Sequence, residues 1–142
     1  LVGSEMCIRD RIYTHREKAL AAAEQKAANR LTEAERKAAV KRAAQMLAEK
    51  TAHFAKEMGV TYGRITIREQ KTRWGSCSSA GNLNYNWKLV LMPEQVMDYV
   101  VIHELAHRKE MNHSARFYAV VAQQMPDYKV WQSWLKEHGR EY

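Results

Sequence analysis

The chain reads as an α+β protein, with a small antiparallel β-sheet packed against a central H-E-x-x-H helix and flanking helices. Three observations predict this. Arg64 to Arg68 and Leu83 to Leu91 alternate polar and apolar residues with the period of two that marks half-buried strands. The stretches before and after them carry helix composition with recognisable caps. Between the strands and the later helices lies Val96 to Ser114, V-M-D-Y-V-V-I-H-E-L-A-H-R-K-E-M-N-H-S, with apolar residues on two sides of a helix and polar chemistry at His103, Glu104, His107 and His113.

At 142 residues the chain has the length of one domain. Its apolar fraction of 46% and mean hydropathy of -0.60 are those of a globular protein. No apolar run approaches the roughly 20 residues a bilayer requires, so no membrane-spanning helix is expected. Residues 1–11 are set apart: L-V-G-S-E-M-C-I-R-D resembles the translation of a sequencing adapter, and the native start is expected upstream. Residues 12–59 are expected to be a helical segment, with 32–59 packed on a core formed by 60–142. Cys7 and Cys77 provide neither a disulfide framework nor a four-cysteine zinc site, and the cytoplasm is the expected compartment.

Tyr13 to Arg30 is rich in Ala, Lys and Glu without Gly or Pro, which predicts helix. Thr32 and Glu35 form a capping box for a second helix. Its apolar stripe is expected through Val40, Ala44, Leu47, Ala48, Phe54, Ala55 and Met58, up to a C-cap at Gly59. Arg64 to Arg68 is the first strand. Ser79-Ala80-Gly81-Asn82 is a turn that folds Arg73 to Ser78 and Asn82 to Lys88 into a hairpin beside it. Trp74 and Trp87 are expected in the core. Pro93 opens the central helix, with Glu94 at the positive end of its dipole. Ser114 caps a helix carrying Phe117, Val120, Val121 and Met125 that ends at Pro126. Asp127 starts a last helix through Val130, Trp131, Trp134 and Leu135, closed by Gly139.

The chemistry concentrates at the motif. His103 and His107, four apart on a helix, project from one face and can reach one metal ion. A hydrolytic zinc site takes three protein ligands and keeps a fourth position for water, whose pKa the metal lowers from 15.7 to about 7. Glu104 is the natural general base, because one helical step turns it about 100° from the ligand direction. His113, in an H-E-x-x-H-x5-H spacing, is the expected third ligand, with the chain turning back near Asn112. Proteases with this spacing carry Gly where Glu110 stands, so the turn has to form without it. Glu137 or Glu141 is the alternative third ligand, and Cys77 a further candidate. The sheet edge beside such a helix can take an extended peptide as an added strand. Asn86, Arg73 and Tyr118 are the candidate substrate-binding residues: Asn86 on that edge, Arg73 as a cation for bound negative charge, Tyr118 as a hydrogen-bond donor to an oxyanion.

Three segments, Q-K-T-R-W-G-S-C-S-S-A-G-N-L-N-Y-N-W-K-L (Gln70 to Leu89), D-Y-V-V-I-H-E-L-A-H (Asp98 to His107) and M-N-H-S-A-R-F (Met111 to Phe117), resemble the YgjP-like metallopeptidase family. The resemblance covers roughly Ala44 to Gly139. It implies a zincin-like fold related to SprT and WLM proteases, Zn2+ held by His103, His107 and His113, Glu104 as catalytic acid/base, and a peptide or protein substrate. Two other functions stay open at this point. The same chemistry can serve a zinc hydrolase of another bond, such as a nucleotide phosphoanhydride, although no G-x-x-x-x-G-K loop is present. A DNA-associated protease or a non-enzymatic zinc domain is the other. The formal charge of +7 is compatible with nucleic acid, but Lys and Arg interleaved with Glu on helices read as a solvated face, and nucleic acid is not the expected partner.

Overall fold

The computed structural model describes residues 31–70 and 73–142. The adapter-like stretch and the helix expected over 13–30 lie outside the described residues. Helix α1 spans Glu33–Met58. The predicted capping box is present: Thr32 Oγ1 accepts from Glu35 N at 3.1 Å, and the Glu35 carboxylate reaches back to Thr32. The helix ends in Gly59 at φ 69°. Its buried stripe is Ala39, Ala43, Leu47, Thr51, Ala55 and Met58, not the one expected through Val40, Ala44 and Ala48. Alanine occurs on several faces of α1, so composition alone points to no single side. Across the seam, Thr51 Oγ1 and Tyr85 Oη are 3.0 Å apart, and Lys50 Nζ donates to Glu94 Oε1 at 2.8 Å and Asp98 Oδ1 at 2.6 Å.

Strands β1 (Ile65–Arg68), β2 (Gly75–Cys77) and β3 (Leu83–Asn86) form one sheet in the order β1-β3-β2. The α+β, zincin-like class stands, but the sheet is mixed where a purely antiparallel one was expected. β2 and β3 are the predicted hairpin, with Gly75 opposite Tyr85. β1 instead lies parallel to β3, with Ile65 opposite Leu83 and Arg68 opposite Asn86. β2 thus lies on the far side of β3 from β1, and Asn86 holds Gln70, Arg73 and Trp74 between them. Its amide donates to Gln70 O at 2.9 Å and Arg73 O at 3.4 Å, while its backbone N–H donates to Trp74 O at 2.9 Å. Alternation measures which face a residue takes, not which strand lies beside it.

The strand expected to run to Leu91 stops at Asn86. Asn86 Oδ1 accepts from Lys88 N at 3.0 Å and caps a 3-10 turn over Trp87–Leu91. Trp87 and Leu89 remain buried, which explains the apolar signal. Helix α2 (Glu94–Ala106) follows Pro93 and is buried almost all round, through Val96, Met97, Tyr99 to Ile102 and Glu104 to Ala106. Helix α3 (Ala115–Gln124), with Ser114 Oγ accepting from Phe117 N at 3.3 Å, buries Phe117 and Val121. Helix α4 (Tyr128–His138) lays half-buried Trp131, Trp134 and Leu135 against the core. Gly139 is right-handed and passes into a 3-10 turn over Gly139–Glu141, so it does not close the helix as a left-handed cap would. Among the described residues no helix is long and apolar enough to cross a membrane.

Candidate metal centre

Helix α2 ends at Ala106, and the next four residues wind off it without entering the left-handed region. Lys109 N and Glu110 N both donate to Ala106 O at 3.0 Å, and Ser114 N donates to Asn112 O at 2.8 Å. No non-glycine residue among those described has a positive φ, so Glu110 makes the turn without the conformation that Gly would offer. The turn delivers His113 to the pair on α2. One ligand atom from each of His103, His107 and His113 lies within 4.8 Å of the others, and Nε2 of His113 is 3.2 Å from Nε2 of His103. Tetrahedral zinc with bonds of about 2.0–2.1 Å sets its ligand nitrogens roughly 3.4 Å apart, so the set matches one small divalent ion. Among the described residues this is the cluster able to hold a metal, and neither Cys77, Glu137 nor Glu141 belongs to it. Cys77 Sγ lies 3.4 Å from Ser78 O, and His138 is paired with Glu137 and Glu141.

Two of the three imidazoles are oriented from behind. His107 Nδ1 sits 3.3 Å from Glu110 O, and His103 Nδ1 sits 3.3 Å from Tyr99 Oη. With Nδ1–H donating in each case, Nε2 is the nitrogen left free to face a metal. Burial and the neighbouring imidazoles push His103 down to about 4, and burial also lowers His107. Both are thereby held as the neutral imidazoles that ligation needs. Phe117 fills the space behind all three rings, at 4.9, 4.5 and 5.0 Å from His103, His107 and His113.

Glu104 is 6% exposed and lies between α2 and β2. A Cβ at Gly75 would stand 3.1 Å from Glu104 Cγ and 3.2 Å from Asn84 O, so a side chain there would crowd this carboxylate and the neighbouring strand. Burial pushes Glu104 up to about 7, and the Arg73 guanidinium pulls the other way. A base near neutrality suits proton transfer.

Of the substrate-binding candidates, Arg73 lines a cavity with Glu104 and His103. Tyr118 lies beside the site, its ring 6.3 Å from His113 and stacked on Tyr128 at 5.7 Å. Asn86 does not join them: it is 2% exposed, and its amide is occupied by the loop and cap described above. Trp74, expected in the core, is half-buried and lines the same cavity. Sequence reasoning missed Tyr99, whose position four before His103 was the available signal. It also missed Gly75 and Arg108. Arg108 donates to Thr61 O at 2.8 Å and Ser79 O at 3.2 Å, tying the hairpin turn to the end of α2. A side chain at Gly81, itself at φ 90°, would collide with that guanidinium. Nothing local in the sequence signals either contact.

Convergent imidazoles around a buried helical carboxylate define the class as a metal-dependent hydrolase of the H-E-x-x-H kind. Within it, the chain belongs to the YgjP-like family: the family's metallopeptidase domain matches residues 5–138, a span that takes in part of the stretch set apart above. Its fold is similar to the crystal structures of two metallopeptidase zymogens. Pyrococcus abyssi abylysin has 23% identity and a TM-score of 0.58, over 66% of this chain and 96% of that one. Methanocaldococcus jannaschii jannalysin has 19% identity and a TM-score of 0.53, over 64% of this chain and 95% of that one. A search of curated proteins finds no match. Family membership makes the chain a metallopeptidase, with a divalent metal and peptide or protein substrates implied.

Proposed function

We propose that the metal is zinc and that the chain cleaves peptide bonds with His103, His107 and His113 as ligands and Glu104 as general base. The observation that carries this is the convergence of three ligand atoms within 4.8 Å beside a carboxylate buried on the same helix. Zinc held there supplies Lewis acidity toward a water and toward the scissile carbonyl. Glu104 takes the proton from the attacking water and passes it to the departing amine. Arg73 binds substrate beside Glu104. Tyr118, next to His113, donates a hydrogen bond to the oxygen that gains charge. β2 has β3 on one side only among the described residues, and its other edge is where a peptide backbone would lie as an added strand.

The test pairs metal analysis with cleavage. Purified protein should carry about one zinc per chain, and His113→Ala should bind it more weakly. Glu104→Gln should retain zinc and lose about 10²- to 10⁴-fold in peptide hydrolysis. Parental cleavage by Glu104→Gln would remove it as the base, and loss of zinc would make it a ligand.

A further inference from the structure

His113 is the exposed member of the three imidazoles and the one that lies off α2, at the end of a turn from Arg108 to Asn112. Lys109, Met111 and Asn112 in that turn are exposed as well. Arg108 differs from them. It is half-buried, and its guanidinium bridges two other segments: Nε donates to Thr61 O at 2.8 Å, on the chain entering β1, and Nη1 donates to Ser79 O at 3.2 Å, in the turn between β2 and β3. Buried Gly81 makes room for it. A Cβ there would stand 2.7 Å from Arg108 Cζ and 3.0 Å from both Nε and Nη1, so the guanidinium occupies the space a side chain of the hairpin turn would take. The receiving turn is itself fixed. Ser78 N donates to Asn82 O and Gly81 N to Ser78 O, each at 2.9 Å, and Gly63 N donates to Gly81 O at 2.8 Å.

Resting on the ligand set proposed above, we infer that Arg108 is the positioning residue for His113: it pins the first residue of the turn to the β2–β3 hairpin, and the hairpin thereby decides where the third imidazole stands. With Arg108 held, the turn is tied at both ends. Lys109 N and Glu110 N close on Ala106 O at its start, and Ser114 N bonds Asn112 O before capping α3 at its end. Without the pin, the start of the turn hangs on the last carbonyls of α2 alone. His113 would then have to be ordered as a metal binds, and the entropy of ordering exposed chain would be lost from the affinity. Arginine suits this task for a geometric reason. Its planar fork donates in two fixed directions to carbonyls on separate segments, which the single ammonium of a lysine does not reproduce.

The experiment is a double-mutant cycle on zinc affinity, measured by chelator competition on the full chain for the parent, Arg108→Met, His113→Ala and the two combined. Thr61 and Ser79 are exposed, so water can take the two carbonyls that Arg108→Met releases, and the variant should fold. Arg108→Met should weaken zinc binding about 10- to 100-fold, as loss of an outer partner does. Once His113 is Ala, the same change should cost no more than about twofold, the scatter of independent sites. Arg108→Lys should recover part of the loss. In the metal-stripped protein, amide exchange at Lys109, Glu110 and Ser114 should quicken in Arg108→Met while Val100 to Leu105 exchange as in the parent. A loss of equal size with and without His113 would make Arg108 a brace of the fold at large, and parental affinity in Arg108→Met would mean that the turn sets itself. Either result overturns the inference and leaves the ligand set standing. If His113→Ala binds zinc as tightly as the parent, the ligand set falls and the positioning role falls with it. Should Arg108→Met prove too unstable to purify, the same cycle run with Arg108→Lys decides, by whether its loss disappears when His113 is Ala. These readouts are independent of peptide cleavage, so failure of the peptidase reading alone would show as the expected coupling without hydrolysis.

Discussion

The two longest described helices pack against each other and are built in opposite ways. α1 is charged over most of its circumference and touches the core through a narrow stripe of Ala39, Ala43, Leu47, Thr51 and Ala55. α2 is half its length and buried on nearly every side, yet it holds His103 and Glu104, with His107 as its C-cap. A helix that carries ionisable chemistry in the interior has to be enclosed by others, because burial is what keeps its imidazoles neutral and raises its carboxylate. α1 supplies enclosure at little cost, through alanines that allow close approach. The polar load sits on the helix that does the chemistry, and that load weighs on stability.

The sharpest way to expose this load is to remove the charge of Glu104. Its folded pKa is raised from 4.5 to about 7, so below pH 4.5 the folded and unfolded carboxyls are both protonated and contribute no difference. Above pH 7 both are ionised, and the folded state bears the full cost of a buried charge, on the order of 3 kcal/mol at 1.36 kcal/mol per unit. Metal-stripped Glu104→Gln should therefore be more stable than the metal-stripped parent at pH 8, with the gap closing as pH falls toward 4.5. Denaturant melts at four pH values would show it. A gap that is absent at pH 8, or that widens toward acid, would mean the carboxylate is well solvated. Lowered His103 acts with the opposite sign, since charging it favours the unfolded chain below about pH 6.5, but it acts on parent and variant alike.

A second break point lies behind the proposed ligands. Tyr99→Phe removes the hydroxyl 3.3 Å from His103 Nδ1 and leaves the ring in the core. Loss of such an outer partner typically costs 10- to 100-fold in metal affinity. A competition titration with a zinc chelator should show that loss with the thermal midpoint of the stripped protein barely moved. An unchanged affinity would mean α2 orients His103 through packing alone.

How much of this was legible depended on the range of the contact that decides it. The capping box at Thr32, the cap at Ser114 and the pair His103/His107 are set within one helical turn, and the sequence displays them. His113 reaches the site through a five-residue turn, short enough for spacing to carry it. β1 joining β3 in parallel, and Asn86 spent on Gln70 O and Arg73 O, depend on how a loop passes the sheet. Gly75 against Glu104 is 29 residues apart in the chain, a relation that no local period encodes. The cavity beside the metal needs Leu135 from the last helix, so its composition could be read only once α4 was in place.

The seam between the two helices gives a smaller effect. Lys50 of α1 is held by Asp98 and Glu94 at the start of α2, and although burial pulls its pKa down, those bonds outweigh it and raise the group overall. Lys50→Met keeps the stem and strands a half-buried Asp98. The expected loss is about 1–2 kcal/mol, limited because Glu94 is exposed and its share is screened. Adding Asp98→Asn should recover part of it. If Lys50→Met costs nothing, the seam is apolar in its energetics and the ion pairs only decorate it.

The smallest expected effect is on nucleic acid, and it falls on α1. The chain carries a formal +7, and a depression of about 470 Å³ runs along α1 past Arg36, Lys37, Val40, Lys41 and Ala44. A groove built for a polyanion keeps its cations available and sets aromatic rings among them for stacking. Here Arg36 is paired with Glu69 and lies over the Trp87 ring from outside, Lys37 faces Glu33 at 3.8 Å, and Lys50 is spent on α2. Much of the positive charge of α1 is therefore already used within the protein, and its basic face is solvated surface. Titration with duplex and single-stranded DNA at physiological salt should give only weak binding without preference for either form. Tight binding that falls steeply with salt, and that is relieved by neutralising Arg36, Lys37 and Lys41 together, would make α1 a second functional surface and undo its role here as enclosure for α2.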